Sequence, residues 1–416
     1  MSFRDICGKA YEFFVGLAMA GLTCYPRSVP GWLGLALIFG LLEHSYISID
    51  RWRSYSTWTY VALLIPAAFF LLNLLGLIHT ENMDLGTKDV GRKITLILVP
   101  IFLLFKGISA DRIKKWMTFY LIGVVIALNW NNVHSAVNYF VTGESHHFFG
   151  EHGITQMHIG YFALHLLVAI GIVVQRIFKH HLSKRNFAYG LGLLAIYIIF
   201  NLILTGSKMG FLTLLTMLGV AFSLMLIRGM GWKRVSIAVL AVIFTMGLIV
   251  SQTDYLADRF SRMTVDTPID PDTIESTQAR RMAWICAWER FQETLLIGEG
   301  TGDVQSAMMD CYGEKGFRGP ASENLGPHSQ YLESGIAVGV LGSITVLLMF
   351  LIPLVRALRS QHIVSTMFFL SFLMACISES MFERAMGIHL FALGLPLMLA
   401  WIEFREEELR AGVKGM

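Results

Sequence analysis

The sequence predicts an all-α, polytopic membrane protein with about twelve transmembrane helices and one long loop outside the membrane that contains short helices. Two observations favour this fold. Of the 416 residues, 55% are hydrophobic and only 15% are charged, whereas soluble domains carry about 25% charged residues. Apolar runs of about 20 residues, the length that crosses a bilayer, follow one another along the chain and leave room for one sizeable polar segment, residues 253–331.

The apolar runs divide the chain into three parts. Residues 1–252 are expected to hold nine spans, residues 253–334 the outer loop, and residues 335–416 three spans and a tail. The predicted spans are 8–24, 31–48, 57–78, 94–110, 116–136, 157–178, 187–205, 209–227, 234–252, 335–358, 362–380 and 386–404.

Basic residues predict the orientation, because Lys and Arg in short loops favour the cytoplasmic side. With the N-terminus in the cytoplasm, most basic residues fall on that side. The short outer loops then carry only Arg27, Lys88, Arg92, Lys93, Lys208 and Arg384. Both ends of the chain are therefore expected in the cytoplasm, and residues 253–331 in the periplasm or outside the cell.

The long polar segment has its own order of elements. Residues 254–272 are polar and contain prolines, which predicts a linker. Apolar residues recur at helical spacing over residues 277–296, which predicts an amphipathic helix. The glycines of residues 298–302 predict a turn, and a second short helix is expected after Pro327.

The five cysteines fit no zinc or redox spacing. Cys286 and Cys311 share the polar segment, and two interpretations stay open for them. They pair in a disulfide if the segment faces an oxidising compartment. In the other interpretation Cys286 simply packs on the apolar face of its helix.

The polar segment ends in Gly326-Pro327-His328-Ser329-Gln330-Tyr331-Leu332, directly before an apolar run. A histidine there lies at the outer mouth of the helices. Since histidine titrates near neutral pH, His328 is a candidate general base for a sugar hydroxyl. The alternative is a histidine at a helix start that only bonds to nearby backbone.

Three cations are candidates for binding a diphosphate. Arg280 and Arg281 are adjacent in the predicted amphipathic helix, and a guanidinium matches phosphate oxygens in bidentate fashion. Lys208 lies in a tight turn on the side where basic residues are scarce and can neutralise a phosphate. The alternatives are an arginine that faces solvent or lipid headgroups, and a lysine that reaches the interface from a helix end.

Glu379, Glu383 and Arg384 lie at the outer end of the eleventh predicted span and are possible supporting residues. A carboxylate at the depth of Glu379 is unfavourable unless it is paired, with Arg384 or Lys208 as the expected partner. A structural ion pair is the first interpretation, and substrate contact is the second.

A group of histidines precedes and enters the sixth predicted span: His134, His146, His147, His152, His158 and His165. Clustered histidines can bind a metal ion. Their spacing is loose, however, and no Cys or Asp completes a usual site, so no metal site is expected. His158 and His165 are two turns apart on one predicted helix and are expected to line the cavity.

Other motifs of known chemistry do not stand out. The sequence shows no P-loop, dinucleotide glycine motif, Ser-His-Asp arrangement or nucleic-acid motif above chance, so neither a cofactor nor a nucleic-acid partner is expected. Residues 298–302 resemble a phosphate loop only loosely, because the Gly-Lys-Ser/Thr ending is missing.

Four landmarks occur in order over about residues 190–400. They are Gly206-Ser207-Lys208, Arg280 with Trp284, Ile297-Gly298-Glu299-Gly300, and Pro327-His328-Ser329-Gln330-Tyr331-Leu332 with Gly339-Val340-Leu341-Gly342. These resemble the Gly-Ser-Arg turn, the Arg-x-x-x-Trp helix, the Leu-Gly-x-Gly turn and the Pro-His-Asn-x-Tyr-Leu with Gly-Leu-Leu-Gly signature of the O-antigen ligase and polymerase superfamily of bacterial envelope enzymes. Lys208 and Ser329 depart from the family's Arg and Asn.

The resemblance implies a metal-independent, inverting glycosyl transfer at the outer face of the bacterial inner membrane. The donor would be a glycan on undecaprenyl diphosphate, with its lipid tail between the spans among membrane lipids. In the ligase branch, the acceptor would be the lipid A–core of lipopolysaccharide. His328 would deprotonate the acceptor hydroxyl, while Arg280, helped by Arg281 and Lys208, would bind the diphosphate and stabilise its leaving charge.

Other functions fit parts of the pattern. A glycan polymerase uses the same donor with a second lipid-linked glycan as acceptor, and some relatives glycosylate protein. A polytopic glycolipid transporter would show broken helices and midplane charges in both halves, whereas charges here crowd at the outer face of the C-terminal half. A non-catalytic assembly scaffold is the third alternative.

The predicted topology can be tested with reporter fusions. A reporter that is active only in the periplasm should work when inserted near Asp270 and should fail when fused after Arg410. The reverse pattern would place His328 on the cytoplasmic side and contradict the assignment of an outer site.

Overall fold

A computed structural model describes residues 2–43, 55–180, 185–227, 232–261 and 268–414. Within those ranges 83% of the residues are helical, and no strand occurs. The prediction of an all-α fold is therefore confirmed.

The described helices follow one another through short connections, which include four 3₁₀ turns: Pro26–Ser28, Leu77–His79, Ser145–Phe148 and Gly150–Gly153. The α-helices are α1 Phe3–Cys24, α2 Val29–Leu42, α3 Thr57–Gly76, α4 Met83–Lys93, α5 Thr95–Phe105, α6 Ala110–Thr142, α7 Ile159–His180, α8 Arg185–Leu204, α9 Lys208–Ile227, α10 Trp232–Ser251, α11 Asp254–Ser261, α12 Ser276–Glu293, α13 Val304–Lys315, α14 Arg318–Ser322, α15 Gln330–Val338, α16 Val340–Arg359, α17 Ile363–Ser378 and α18 Ala385–Lys414.

The chain is a membrane protein. Among the described residues, five helices are long and apolar enough to cross a bilayer: Thr57–His79, Ile159–Ile177, Asn186–Leu204, Val340–Arg359 and Ala385–Ala411. Shorter apolar helices lie at Pro26–Leu42, Lys208–Leu224 and Ile363–Ser378. The count of twelve spans, the division at residues 252 and 334, and the periplasmic position of the loop stay predictions.

Two predicted spans differ from the helices. The fourth corresponds to α5, whose 11 residues rise only about 16 Å at about 1.5 Å per residue. The tenth was expected to begin at residue 335 but begins at Val340, because Gly339 adopts a φ of +76° and ends α15. Residues 44–48 of the second predicted span lie outside the described residues.

The helices α7 and α18 form the centre of the bundle. In their most apolar stretches 78% and 83% of the residues are buried, against 28% in each of α3 and α8. The central helix α7 packs against α8 and α17, and α17 also packs against α9 and α16. This packing brings the start of α7, the start of α9 and the end of α17 together.

The polar segment, residues 253–331, is more ordered than its composition predicts. Residues 254–272 were expected to form a linker, but α11 occupies the first part of this stretch, and its Leu256 is fully buried in the core. The linker prediction is wrong there, because one buried leucine anchors an otherwise polar helix.

The helix over residues 277–296 and the second short helix are confirmed as α12 and α15. The expected apolar face of α12 is wrong, because Ile285 and Trp288 are exposed. The buried face instead carries mostly small side chains, among them Ala279, Ala283 and Cys286.

A disulfide joins Cys286 of α12 to Cys311 of α13. Both sulfurs belong to a small second core, where Ala283, Met308 and Ile336 are also fully buried. Of the two interpretations open from the sequence, pairing is therefore correct.

The glycine turn after α12 packs that helix against α15. Gly298 adopts a φ of +83°, and a Cβ at this position would lie 2.5 Å from the carbonyl carbon of Ala337. Beside it, the amide of Glu299 donates to the carbonyl of Ile336 at 2.7 Å. Glycine is required here by close backbone approach, so the motif is structural and not a phosphate loop.

Removal of the disulfide should destabilise the polar segment, residues 253–331. A double substitution Cys286→Ala/Cys311→Ala is expected to lower the free energy of unfolding by about 2–4 kcal/mol, measured by thermal unfolding in detergent. The control is Cys24→Ala, since Cys24 is a free, half-buried thiol. Alkylation of both Cys286 and Cys311 in native, unreduced protein would contradict the assigned bond.

Candidate active site

A cavity of about 330 Å³ opens where the starts of α7 and α9, the end of α17 and the polar segment meet. Its lining includes His158, Lys208, Arg259, Arg280, His328 and Glu379. The ends of apolar helices and side chains of the polar segment thus line one polar chamber.

Glu379 lies at the centre of this chamber, one residue after α17 ends, and its side chain is only 9% exposed. Its Oε1 accepts a 2.6 Å hydrogen bond from Arg280 Nη2, while its Oε2 lies 3.6 Å from His328 Nδ1. Gly160, in the first turn of α7, makes room for it, since a Cβ there would lie 2.9 Å from Oε1. The positive end of that helix also favours a carboxylate.

The electrostatics favour an ionised Glu379. Burial raises the pKa of Glu379, but the contact with His328 and the charge of Arg280 outweigh it and hold that pKa below its ordinary value. Burial lowers the pKa of His158 despite the negative charge of Glu379. The Gly160 amide donates to His158 Nδ1 at 3.3 Å, which fits a neutral ring. Hence His158, 3.8 Å away, is a polar neighbour of Glu379 and not its counterion.

His328 is held in an unusual backbone conformation. Its φ is +48°, a left-handed geometry that few residues other than glycine adopt and that costs on the order of 1–3 kcal/mol. Its carbonyl accepts a 3.3 Å hydrogen bond from the indole of Trp284, one turn after Arg280 on α12. One face of α12 therefore contacts both His328 and Glu379.

The helix that follows His328 is fixed to α17. The buried hydroxyl of Ser329 points to the carbonyl of Cys376 at 3.5 Å, and the Tyr331 hydroxyl donates to the carbonyl of Leu373 at 2.9 Å. Ser329, where the family signature has Asn, thus contacts the neighbouring helix α17 through its hydroxyl. These contacts set the register between His328 and Glu379.

Two more cations face the cavity. Lys208 Nζ lies 2.5 Å from Thr277 Oγ1, at the start of α12. Arg259 on α11 donates from Nε to the carbonyl of Gly206 at 3.0 Å, and from Nη1 to the Tyr255 hydroxyl at 3.2 Å. Arg259 was not among the site residues expected from the sequence. Tyr255 and Arg259 are four residues apart, a spacing that is compatible with the helix α11. The segment was instead predicted to be a linker.

Several expected site residues lie elsewhere. Arg281 and Arg384 are not in the lining of the cavity. The partner of Glu379 is Arg280, so the expected pairing with Arg384 or Lys208 is wrong. Arg280 comes from an element far along the chain, and local sequence does not show that approach.

Glu383 supports the site from outside. It contacts buried Lys93 at 3.0 Å and Gln330 Nε2 at 3.4 Å, the latter on the first turn after His328. Lys93 also pairs with Asp89, one turn earlier on α4. Burial and the charge of Glu383 raise the pKa of Asp89 above its ordinary range, although Lys93 opposes this shift. Glu383 therefore ties α4 to α15.

The histidines that the sequence groups together lie in different parts of the structure. His158 lines the cavity as expected, but the prediction for His165 is wrong. His165 is buried in the bundle, where the Tyr120 hydroxyl lies 3.0 Å from its Nδ1. His158 directly precedes α7 and lies at the cavity, whereas His165 lies about two turns further along that helix. His146 and His147 lie near Glu144, a carboxylate that was not expected beside them.

Comparison with known proteins agrees with the four landmarks. Residues 193–347 match the family model described as O-antigen ligase. This match supports a place in the O-antigen ligase-like superfamily, as the resemblance predicted. No curated protein matches the chain.

Glu379→Gln should impair turnover without unfolding the protein. Glutamine fills the same space but presents no charge to Arg280 and can turn its amide towards His328. An equivalent change beside a catalytic histidine costs about 10⁴-fold in serine proteases. Because the contact here is long, we expect about 10²-fold in kcat.

The matched control is Arg384→Ala, which alters an exposed charge outside the cavity and should leave kcat near wild type. Equal kcat for Glu379→Gln and wild type, in protein that still melts cooperatively, would refute a positioning role for this carboxylate.

Proposed function

We propose that the chain transfers a glycan from undecaprenyl diphosphate to the lipid A–core at the periplasmic face of the bacterial inner membrane. The family match over residues 193–347 indicates an O-antigen ligase- or polymerase-type function, and thus a membrane glycosyltransferase-like enzyme. The observation that carries the finer proposal is the arrangement of His328, Glu379 and three cations around one cavity at the ends of apolar helices.

His328 is the proposed general base. With Glu379 ionised, Nδ1–H of His328 points to the carboxylate and Nε2 is left to accept a proton. The acceptor hydroxyl loses its proton to Nε2 as its oxygen attacks the anomeric carbon of the donor sugar. At 3.6 Å the contact between His328 and Glu379 is longer than a full hydrogen bond, and it is expected to shorten when substrate fills the chamber.

The cations receive the leaving group. As the bond from the anomeric carbon to the phosphate oxygen breaks, its electron pair stays on the undecaprenyl diphosphate. Arg280, Lys208 and Arg259 line the cavity and are the proposed contacts for that charge, a role worth several kcal/mol when donors are fixed in advance. Arg259 takes the place that the resemblance gave to Arg281. Inversion at the anomeric carbon follows from this single displacement.

Two features support an outer position for the site. The disulfide between Cys286 and Cys311 suits an oxidising compartment such as the periplasm. Basic residues are also scarce in the short loops on the same side as Lys208. Both agree with a donor that presents its glycan outside the cytoplasm.

The acceptor distinguishes ligase from polymerase. A deletion strain that makes lipopolysaccharide core without long glycan indicates a ligase. Core that carries a single repeat unit indicates the alternative, an O-antigen or polysaccharide polymerase with the same lipid-linked donor.

His328→Ala should abolish most transfer while the protein still inserts and purifies. Loss of a general base costs about 10²–10⁴-fold in rate, measured with purified lipid-linked donor and lipid A–core acceptor. Ser306→Ala, an exposed change on α13, serves as the control. Activity within a few-fold of wild type for His328→Ala would exclude the proposed role.

Substitutions of the different cations should reduce kcat/KM to different extents. Arg280→Lys keeps the charge but loses the planar fork, so a strong loss of kcat/KM is expected. Lys208→Arg should be tolerated because it restores the residue that the family usually carries. Arg281→Ala should matter less, since adjacent helix positions point about 100° apart. An inactive Arg281→Ala beside a normal Arg280→Ala would contradict the assigned helix face.

A further inference from the structure

The loop between α6 and α7 gathers a second set of polar side chains outside the cavity. Glu144, His146 and His147 each offer one ligand atom, and these atoms lie within 4.8 Å of one another. His146 Nδ1 lies 3.2 Å from Glu144 Oε2, and the two imidazole centres are 4.2 Å apart. In a tetrahedral site with ligands at about 2.0–2.1 Å, neighbouring ligand atoms lie about 3.3 Å apart. Small side-chain rotations therefore close this group around an ion.

A neighbouring threonine prepares His147 as a ligand. The Thr142 hydroxyl donates to the carbonyl of Asn138 at 2.9 Å, so its lone pairs are left to accept. One accepts from the Glu144 amide at 3.2 Å, and the other faces His147 Nε2 at 3.0 Å. The proton of His147 is thereby placed on Nε2, and Nδ1 keeps its lone pair. Metal-binding histidines usually have such an acceptor on the second nitrogen.

We propose that Glu144, His146 and His147 bind one divalent transition-metal ion of the Zn²⁺ type. Two imidazoles and one carboxylate suit zinc-like ions, whereas Mg²⁺ and Ca²⁺ prefer oxygen ligands. Three protein ligands leave one position of a tetrahedral ion to water. The side chains of His146 and Glu144 are 39% and 61% exposed, so an ion can reach them from solution.

The ion would brace one wall of the cavity. Directly after the ligands, Phe149 stacks on Tyr255 of α11 with ring centres 5.5 Å apart. Tyr255 in turn accepts from Arg259, which lines the cavity. Glu151 Oε1 lies 3.5 Å from His158 Nε2, and both residues are in the lining. Fixing the tip of this loop thus restricts the wall that carries Arg259 and His158.

The ligands themselves are absent from the lining of the cavity. The bound ion is therefore structural and lies off the path of the reaction. Binding does not depend on the proposed glycosyl transfer, so the two proposals can fail separately.

The first experiment measures binding. Purified full-length protein without a histidine tag is stripped with a chelator, and Zn²⁺ is titrated in competition with a chromophoric chelator. We expect one ion per chain, no competition by Mg²⁺, and at least about tenfold weaker binding in His146→Ala/His147→Ala. His79→Ala, at an exposed histidine that ends the helical stretch Thr57–His79, is the matched control and should bind as wild type. Equal affinity for the double variant and wild type would overturn the site.

The second experiment separates bracing from chemistry. Added Zn²⁺ should raise the melting temperature of wild type but not of His146→Ala/His147→Ala, while stripped protein keeps its turnover within a few-fold. An unchanged melting temperature in wild type would overturn the bracing role. Loss of turnover on stripping, restored by Zn²⁺, would overturn the position off the reaction path.

Discussion

Glu379 is the charge on which the arrangement of the polar chamber depends. It is nearly buried at the end of α17, it accepts from Arg280 at 2.6 Å, and it faces His328. A buried carboxylate without such partners would destabilise the fold by several kcal/mol. Because Glu379 needs these partners, it holds His328, the proposed base, at one carboxylate oxygen and Arg280, a proposed phosphate ligand, at the other. The Glu379 carboxylate therefore contributes both to the stability of the chamber and to the positions of Arg280 and His328.

The helix α12 turns this pairing into a rigid unit. Arg280 and Trp284 lie one turn apart, so the arginine reaches Glu379 while the indole holds the carbonyl of His328. The disulfide to α13 and the glycine turn against α15 fix the far face and the end of the same helix. These restraints maintain the left-handed backbone at His328, where strain is tolerated because several contacts determine the position together. The Arg-x-x-x-Trp spacing thus has a geometric reason.

The sequence predicts what is local and misses what is assembled over long separations. Apolar runs and helical spacing predict α7, α12 and α17, since both patterns reflect one helix face or one bilayer thickness. The pairing of Arg280 with Glu379 joins residues 99 positions apart, so no spacing rule indicates it, and nearby Arg384 was the wrong expectation. Arg259 was hidden because a polar composition describes a linker and a surface helix equally well. The role of His328 was predictable only because a short signature resembles a known family, and it stays a proposal.

The coupling between Glu379 and His328 can be measured most directly with a double-mutant cycle on kcat/KM, using Glu379→Gln, His328→Ala and the double variant on purified donor and acceptor. If Glu379 acts by positioning His328, the carboxylate has little left to do once the imidazole is gone. The double variant should then be within about threefold of His328→Ala alone, the non-additivity expected of residues that act as one unit. Losses that multiply in full would show that the two residues act independently and would contradict the account.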